Sequence, residues 1–166
     1  MKRKPLLKIL NKGIGVLLFL LTACQENIIY HSYQPINPIG WYQNDTLTYI
    51  LDSYISDENR YNCQIGIRHK DSYLYQDIWL GIIPFFKDSV SAVKTDTVHI
   101  YLSDSIGLWK GKGIGELRQF VQPIGTSLPL SSKDTLIGFQ IIHLMKDYPL
   151  TGIQDIGLYI QNNTNE

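Results

Sequence analysis

Asp96-Thr97-Val98-His99-Ile100-Tyr101-Leu102 decides the fold class, because its apolar residues recur at every second position. Val98, Ile100 and Leu102 share one face of an extended chain, and Thr97, His99 and Tyr101 share the other, the pattern of a half-buried strand. The same period governs Leu47, Tyr49 and Leu51 against Thr46, Thr48 and Ile50, and Ile156, Leu158 and Ile160 against Gly157 and Tyr159. Two longer apolar runs, Asp77 to Phe86 and Leu136 to Met145, read as strands buried on nearly both faces. Pro84 requires the first of them to end, bulge or lie at an edge.

Turn clusters separate the runs: Ser56-Asp57-Glu58-Asn59, Lys70-Asp71-Ser72, Asp104-Ser105-Ile106-Gly107 and Ser131-Ser132-Lys133-Asp134. Three strands open on the same phrase, Asp45-Thr46-Leu47, Asp96-Thr97-Val98 and Asp134-Thr135-Leu136. The Asp closes a turn through its side chain and the Thr suits the pleat. Leu117, Phe120, Val121 and Ile124 sit at helical spacing, but a two-turn helix broken by Pro123 and Gly125 has little support. The segment reads as a strand or irregular stretch. Seven or eight strands at this spacing predict an all-β fold, a single antiparallel β-sandwich or jelly-roll-like domain.

Upstream of the domain the chemistry changes. Lys2, Arg3, Lys4, Lys8 and Lys12 precede the apolar run Ile14 to Leu21, which is too short for a permanent membrane helix and fits a secretory signal. Leu21-Thr22-Ala23-Cys24 then resembles the lipobox of bacterial lipoprotein precursors. The resemblance implies cleavage after Ala23 and thioether-linked diacylglycerol on Cys24, usually with acylation of the new amino group. Two or three acyl chains hold a protein firmly at about 0.8 kcal/mol per buried CH₂. The expected layout is a signal peptide over 1–23, lipidated Cys24 and a tether over 24–36, the sandwich over 37–161, and a polar tail over 162–166. Gln25-Glu26-Asn27 lacks an Asp directly after the cysteine and lacks a strongly acidic run, so the expectation is an outer-membrane lipoprotein facing the periplasm.

Charge narrows the partners. The chain holds 15 basic and 15 acidic residues, and five of the basic ones precede Cys24, so the mature part has ten against fifteen. An acidic domain repels phosphate backbones, which argues against nucleic acid as a partner. Cys63 lies on the Ile65/Ile67 face and reads as a small buried hydrophobe. His31, His69, His99 and His143 are scattered without metal-ligand spacing, and no Gly-x-Ser-x-Gly elbow occurs. Gly111, Gly113 and Gly115 read as a twisted turn or bulge at a sheet edge. No catalytic residue, metal or cofactor is assigned. A hydrolase would need two carboxylates brought together by folding.

Two further signals concern the surface. Trp41 and Trp109 stand beside Gly40, Gly107 and Gly111, and are the tryptophans expected to reach solvent, where they could stack a sugar or peptide. Seven of eleven Asp residues precede Ser or Thr, and five of those pairs continue with Leu, Val or Ile. Thr46, Ser89, Thr97, Ser105 and Thr135 therefore resemble the acceptor pattern for periplasmic O-glycosylation in Bacteroidetes, three of them doubling as strand-start grammar.

The whole pattern resembles the GldH family of gliding-motility lipoproteins of Bacteroidetes. The residues that carry it are Tyr30-His31-Ser32-Tyr33, Gly40-Trp41, Tyr61 to Arg68, and Ser72-Tyr73-Leu74-Tyr75-Gln76-Asp77-Ile78-Trp79-Leu80. They continue through Asp96 to Leu102, Gly107-Leu108-Trp109-Lys110-Gly111-Lys112-Gly113, His143-Leu144-Met145-Lys146 and Leu150 to Leu158. Where the family has Gln, Arg and Asn, this chain has His143, Lys146 and Asp77. The resemblance implies a non-enzymatic envelope lipoprotein, an accessory or adaptor beside gliding or type IX secretion machinery, with other envelope proteins as partners. Relatives occur in organisms that do not glide. The alternative is a glycan-binding lipoprotein that uses surface aromatics.

Overall fold

The computed structural model describes residues 28–55, 61–87, 95–125 and 135–162. The signal segment, Cys24, Ser89, the tail beyond Asn162 and the turn clusters at 56–59 and 131–134 lie outside the described residues. Nine strands are described: β1 (Ile28–Pro35), β2 (Leu47–Ile55), β3 (Tyr61–Lys70), β4 (Asp77–Phe86), β5 (Asp96–Tyr101), β6 (Lys112–Ile114), β7 (Leu117–Gly125), β8 (Leu136–His143) and β9 (Ile153–Asn162). They form two antiparallel sheets, β1-β9-β3-β7-β6 and β2-β8-β4-β5. The sandwich expected from the period-two pattern is the fold found.

The inner faces are the apolar phases of the strands. Leu47, Tyr49 and Leu51 of β2, Ile78, Leu80 and Ile82 of β4, and Phe139 and Ile141 of β8 meet Cys63, Ile65 and Ile67 of β3 and Ile156, Leu158 and Ile160 of β9. Interdigitating inner faces of two sheets exclude water, the main favourable term for a domain of this size. Tyr49 is fully buried and donates its phenol O–H to the Ile156 carbonyl at 2.7 Å, so it stitches the sheets while its polar end stays satisfied. Pro84 keeps its place in β4 because pairing with β5 stops at Ile82 opposite Asp96, while Phe139 of β8 continues alongside. Its missing N–H is therefore not required by β5.

One expectation changes and another narrows. Residues 28–35 are not tether: they form β1, which pairs with β9 from Ile28↔Gln161 to Pro35↔Asp155. An edge strand has one neighbour and only part of its surface covered, so it needs no strict apolar alternation, and its sequence reads as polar linker. The segment around Phe120 is strand β7, and Gly113 sits in the three-residue edge strand β6 beside it. A Cβ at Gly113 would run into the Leu117 carbonyl, and Gly115 turns the hairpin at φ +62°.

One end of the sandwich collects the loops 36–46, 71–76, 102–111 and 144–152. There the C-terminal ends of β1, β3, β5 and β8 meet the N-terminal ends of β2, β4 and β9. Ile28 and Asn162 lie at the opposite end.

Candidate functional site: an aromatic platform on β4 and β5

Alternation along β4 sends Ile78, Leu80 and Ile82 into the core and leaves the opposite phase outside. Asp77 and Trp79 lie on that outer face, with Tyr75 in step just before the strand. Register then supplies neighbours from β5: His99 stands across from Trp79 and Tyr101 across from Asp77. The Trp79 and His99 rings stack with centroids 3.9 Å apart and planes 10° from parallel. The imidazole is held from below by Asp77, whose Oδ2 accepts from His99 Nε2–H at 2.6 Å. An ionised carboxylate can only accept, which fixes that nitrogen as the donor. Tyr101 leans on the other side of His99 at 4.3 Å, and Lys110 Nζ sits 5.6 Å from the Tyr101 ring centre.

Beside Trp79 runs a groove of about 390 Å³ lined by Tyr75, Asp77, Trp79, Leu144, Met145 and Lys146. Its far wall is fixed to β4: Leu144 N–H donates to the Trp79 carbonyl at 2.8 Å, and Trp79 N–H points at Met145 Sδ at 3.4 Å. Gln43 holds the same wall from outside through the Met145 carbonyl at 3.1 Å. Asp147 beside Tyr75 pushes its phenol above the usual range. A second depression, about 550 Å³ along β6 and β7, is lined by Lys110, Lys112, Ile114, Gln119, Phe120 and Val121. Its polar side chains are two lysines and Gln119, with no carboxylate among them, whereas the Trp79 groove brings an acid, a base and a phenol together.

The family model for GldH lipoprotein matches residues 28–160, which spans both sheets and the platform. The chain belongs to the GldH lipoprotein family. A comparison with curated proteins finds no match. Among solved structures, a chain from "Structure of infectious bursal disease virus Gx strain" aligns at 15% identity and a TM-score of 0.29, covering 82% of this chain. The alignment spans 30% of the viral chain, and at that TM-score the similarity carries no argument. GldH lipoproteins are not known as enzymes, and the family description carries the lipid anchoring that the Leu21-Thr22-Ala23-Cys24 stretch led us to expect.

In this GldH lipoprotein the tryptophans exchange places. Trp41 was expected at the surface beside Gly40, but it is 1% exposed. Backbone hydrogen bonds with Leu150 in both directions (2.8 and 2.9 Å) turn the ring inward. Its indole N–H donates to the Asp45 carbonyl at 2.7 Å, and the ring caps the core against His143. It is closed to a ligand. Trp109 is only half-buried and packs edge-on against buried His69 at 4.5 Å, so it too serves the core. Trp79 is the exposed tryptophan, at 41%.

Cys63 is buried as expected, and burial pushes its thiol up to about 12. His143 is a core-edge histidine whose proton affinity burial lowers. The Trp41 backbone opposes that shift but lies outside full hydrogen-bond geometry. His69 is lowered likewise, although its Nδ1 meets the Lys70 carbonyl at 3.1 Å. Of the five Asp-Ser/Thr positions, Thr46, Thr97 and Ser105 are exposed and Thr135 is half-buried. Among the described residues no group of three or more His, Cys, Asp or Glu is placed to hold a metal. Among them too, no helix is long and apolar enough to cross a membrane.

Proposed function

We propose that this chain is an envelope lipoprotein that works by contact, as an adaptor beside gliding or type IX secretion machinery. Lipid on Cys24 would hold it to the periplasmic face of the outer membrane. The observation that carries the reading is the family match over 28–160, joined to the position of β1. Three residues separate Cys24 from Ile28, four Cα steps with a reach of at most about 14 Å. The end of the sandwich that holds Ile28 would therefore stay close to the bilayer. Strands of ten residues rise roughly 33 Å, which carries the loop end away from it. That loop end exposes Ile39, Leu74, Ile106, Leu108 and Tyr148. Apolar side chains gathered at one end of a domain suit a protein partner.

The test combines fractionation with crosslinking in cells. Cys24→Ser should block lipidation and release the protein from membranes. A photo-crosslinking residue at Leu74 or Leu108 should capture envelope proteins, whereas one at Ile50, exposed on the outer face of β2, should not. Membrane attachment unchanged in Cys24→Ser, or equal capture from all three positions, would remove the basis of this reading. Exposed Thr46, Thr97 and Ser105 are the sites proposed to carry O-glycans. The intact mass of native protein tests this, since a mass equal to the lipidated polypeptide alone excludes them.

A further inference from the structure

We infer that the groove between Trp79 and the 144–146 segment is a carbohydrate subsite, which takes one face of a pyranose ring against the Trp79 indole. The inference does not rest on the adaptor reading: it concerns the Trp79 indole and a groove bordered by Tyr75 and residues 144–146, not the exposed apolar side chains of the loop end.

Three observations carry it. Trp79 is not a stray surface ring. One of its faces is stacked on His99, and His99 is pinned by Asp77, so the indole is held in one orientation before any ligand arrives. Preorganisation of this kind removes the ordering cost that makes exposed aromatics poor binders. Secondly, the groove that Trp79 lines has the volume of a small-molecule site, about 300–1,000 Å³ in general. Its far wall is tied to β4 through the Leu144 N–H and Met145 Sδ, so that side of the groove is already formed.

Thirdly, the lining alternates in polarity as a sugar does. Trp79, Leu144 and Met145 supply apolar surface for the ring C–H groups. Around them stand three groups suited to hydroxyls. Asp77 uses Oδ2 on His99, and its other oxygen enters no other hydrogen bond found among the described residues, so it can accept. Lys146 is exposed and can donate. Tyr75 can accept on its phenol oxygen. An apolar peptide side chain would desolvate Asp77 and Lys146 without pairing them, a cost that a polyol avoids. A flat anionic ligand would face the Asp77 carboxylate. A neutral pyranoside meets neither penalty.

The test uses the full mature lipoprotein in a detergent without a sugar headgroup. It is titrated with maltose, cellobiose, chitobiose and mannobiose at millimolar concentrations. Trp41 is buried and Trp109 half-buried, so acrylamide quenching reads mainly Trp79. At least one disaccharide should protect the emission in a saturable way. In Trp79→Ala, isothermal titration should show that sugar bound roughly tenfold more weakly or worse, the scale of one lost aromatic contact. Trp79→Phe should lie between, and Trp109→Phe should bind like the parent. Asp77→Asn should weaken binding, because its one remaining acceptor oxygen cannot serve both His99 and a sugar hydroxyl. Melting temperatures of the Trp79 variants, expected near that of the parent, separate loss of the site from loss of the fold. The proposal is overturned if no disaccharide protects the emission, if Trp79→Ala binds as well as the parent, or if an apolar hexapeptide protects where sugars do not.

Discussion

Replacing Gly66 or Gly157 by Ala should loosen β1, the strand nearest the anchor, through one ring. These glycines are cross-strand partners on the outer face of the five-stranded sheet, and Tyr33 of β1 lies across both. A Cβ at Gly157 would stand 2.6 Å from Tyr33 Cζ and 2.7 Å from Cε1, and one at Gly66 would stand 2.8 Å from Cζ. Tyr33 must lift. Lifting gives up the Arg68 guanidinium 4.0 Å from the ring centre, worth about 0.5–1 kcal/mol at an exposed site. It also gives up the 2.9 Å hydrogen bond that Tyr159 donates to the Tyr33 oxygen, worth about 1 kcal/mol. Alanine returns about 0.4–1 kcal/mol through the unfolded chain.

The net cost should be about 0.5–1.6 kcal/mol, a fall in melting temperature of roughly 2–8 °C for a domain of this size. Gly157→Ala should cost more than Gly66→Ala. At Gly157 the Cβ meets three ring carbons of Tyr33, Cζ, Cε1 and Cε2, at 2.6–2.8 Å, whereas at Gly66 it meets the phenol oxygen and Cζ, which can pivot, and Tyr159 Cε2. The assay is thermal and urea denaturation of the mature protein as a double-mutant cycle with Tyr33→Ala. Once the ring is gone, Gly157→Ala should be neutral or slightly stabilising, and Gly66→Ala should keep only the smaller cost of its 2.9 Å approach to Tyr159 Cε2. If either change costs the same with and without Tyr33, the ring is not the obstacle and this account of β1 docking is wrong.

Cys63 should resist alkylation in the folded state. With its thiol pushed up to about 12, roughly one molecule in ten thousand carries thiolate at pH 8, and iodoacetamide should label it only on unfolding. Labelling of native protein at the rate of a free thiol would contradict its place in the core. His69 and His143 set an acid limit: both are lowered by burial from 6.5, so below that pH the unfolded chain binds more protons than the folded one. Urea midpoints should hold above about pH 6.5 and fall as pH drops through it. A His69→Gln/His143→Phe double variant should flatten the fall, and an unchanged slope would assign it to other groups. Trp41→Ala should cost about 3–5 kcal/mol as a cavity under the loop end, against less than about 1 kcal/mol for Trp79→Ala. Equal losses would mean that their burial has been misassigned.

Much of the fold was legible because one physical rule, period two, writes it directly. Leu47/Tyr49/Leu51, Val98/Ile100/Leu102 and Ile156/Leu158/Ile160 are strands whose apolar phase faces the core, except that Val98 is only partly covered near the edge. The rule fails where a strand has little to bury. β1 pairs on one side and covers its outer face with Tyr33 and with His31, which stacks on Tyr159 at 4.0 Å, so Ile28 to Pro35 carries no alternation to read. β6, three exposed residues long, shows only its glycines. The site was harder. Flanking glycines misplaced Trp41, because its orientation is set by pairing with Leu150, which is distant in sequence. Trp79 did carry a usable signal: it is out of phase with Ile78, Leu80 and Ile82. The Asp77–His99 pair carried none, since it exists only through the β4–β5 register.

That dependence on register also keeps the two candidate surfaces apart. A slip of one residue in β4 would bring Trp79 into the core and send Leu80 out, so the phase that stabilises the sandwich also fixes the platform. The platform therefore inherits the rigidity of the sheet. The loop end owes its shape to turns such as Asp104, whose Oδ1 accepts from the N–H groups of Ile106 and Leu108, and these can vary without disturbing either sheet. Substitutions at Leu74 or Leu108 should thus leave Trp79 stacked on His99, and substitutions at Trp79 should leave the loop end intact. Partner contact and sugar contact can be lost one at a time, which allows each proposal to fail without carrying the other with it.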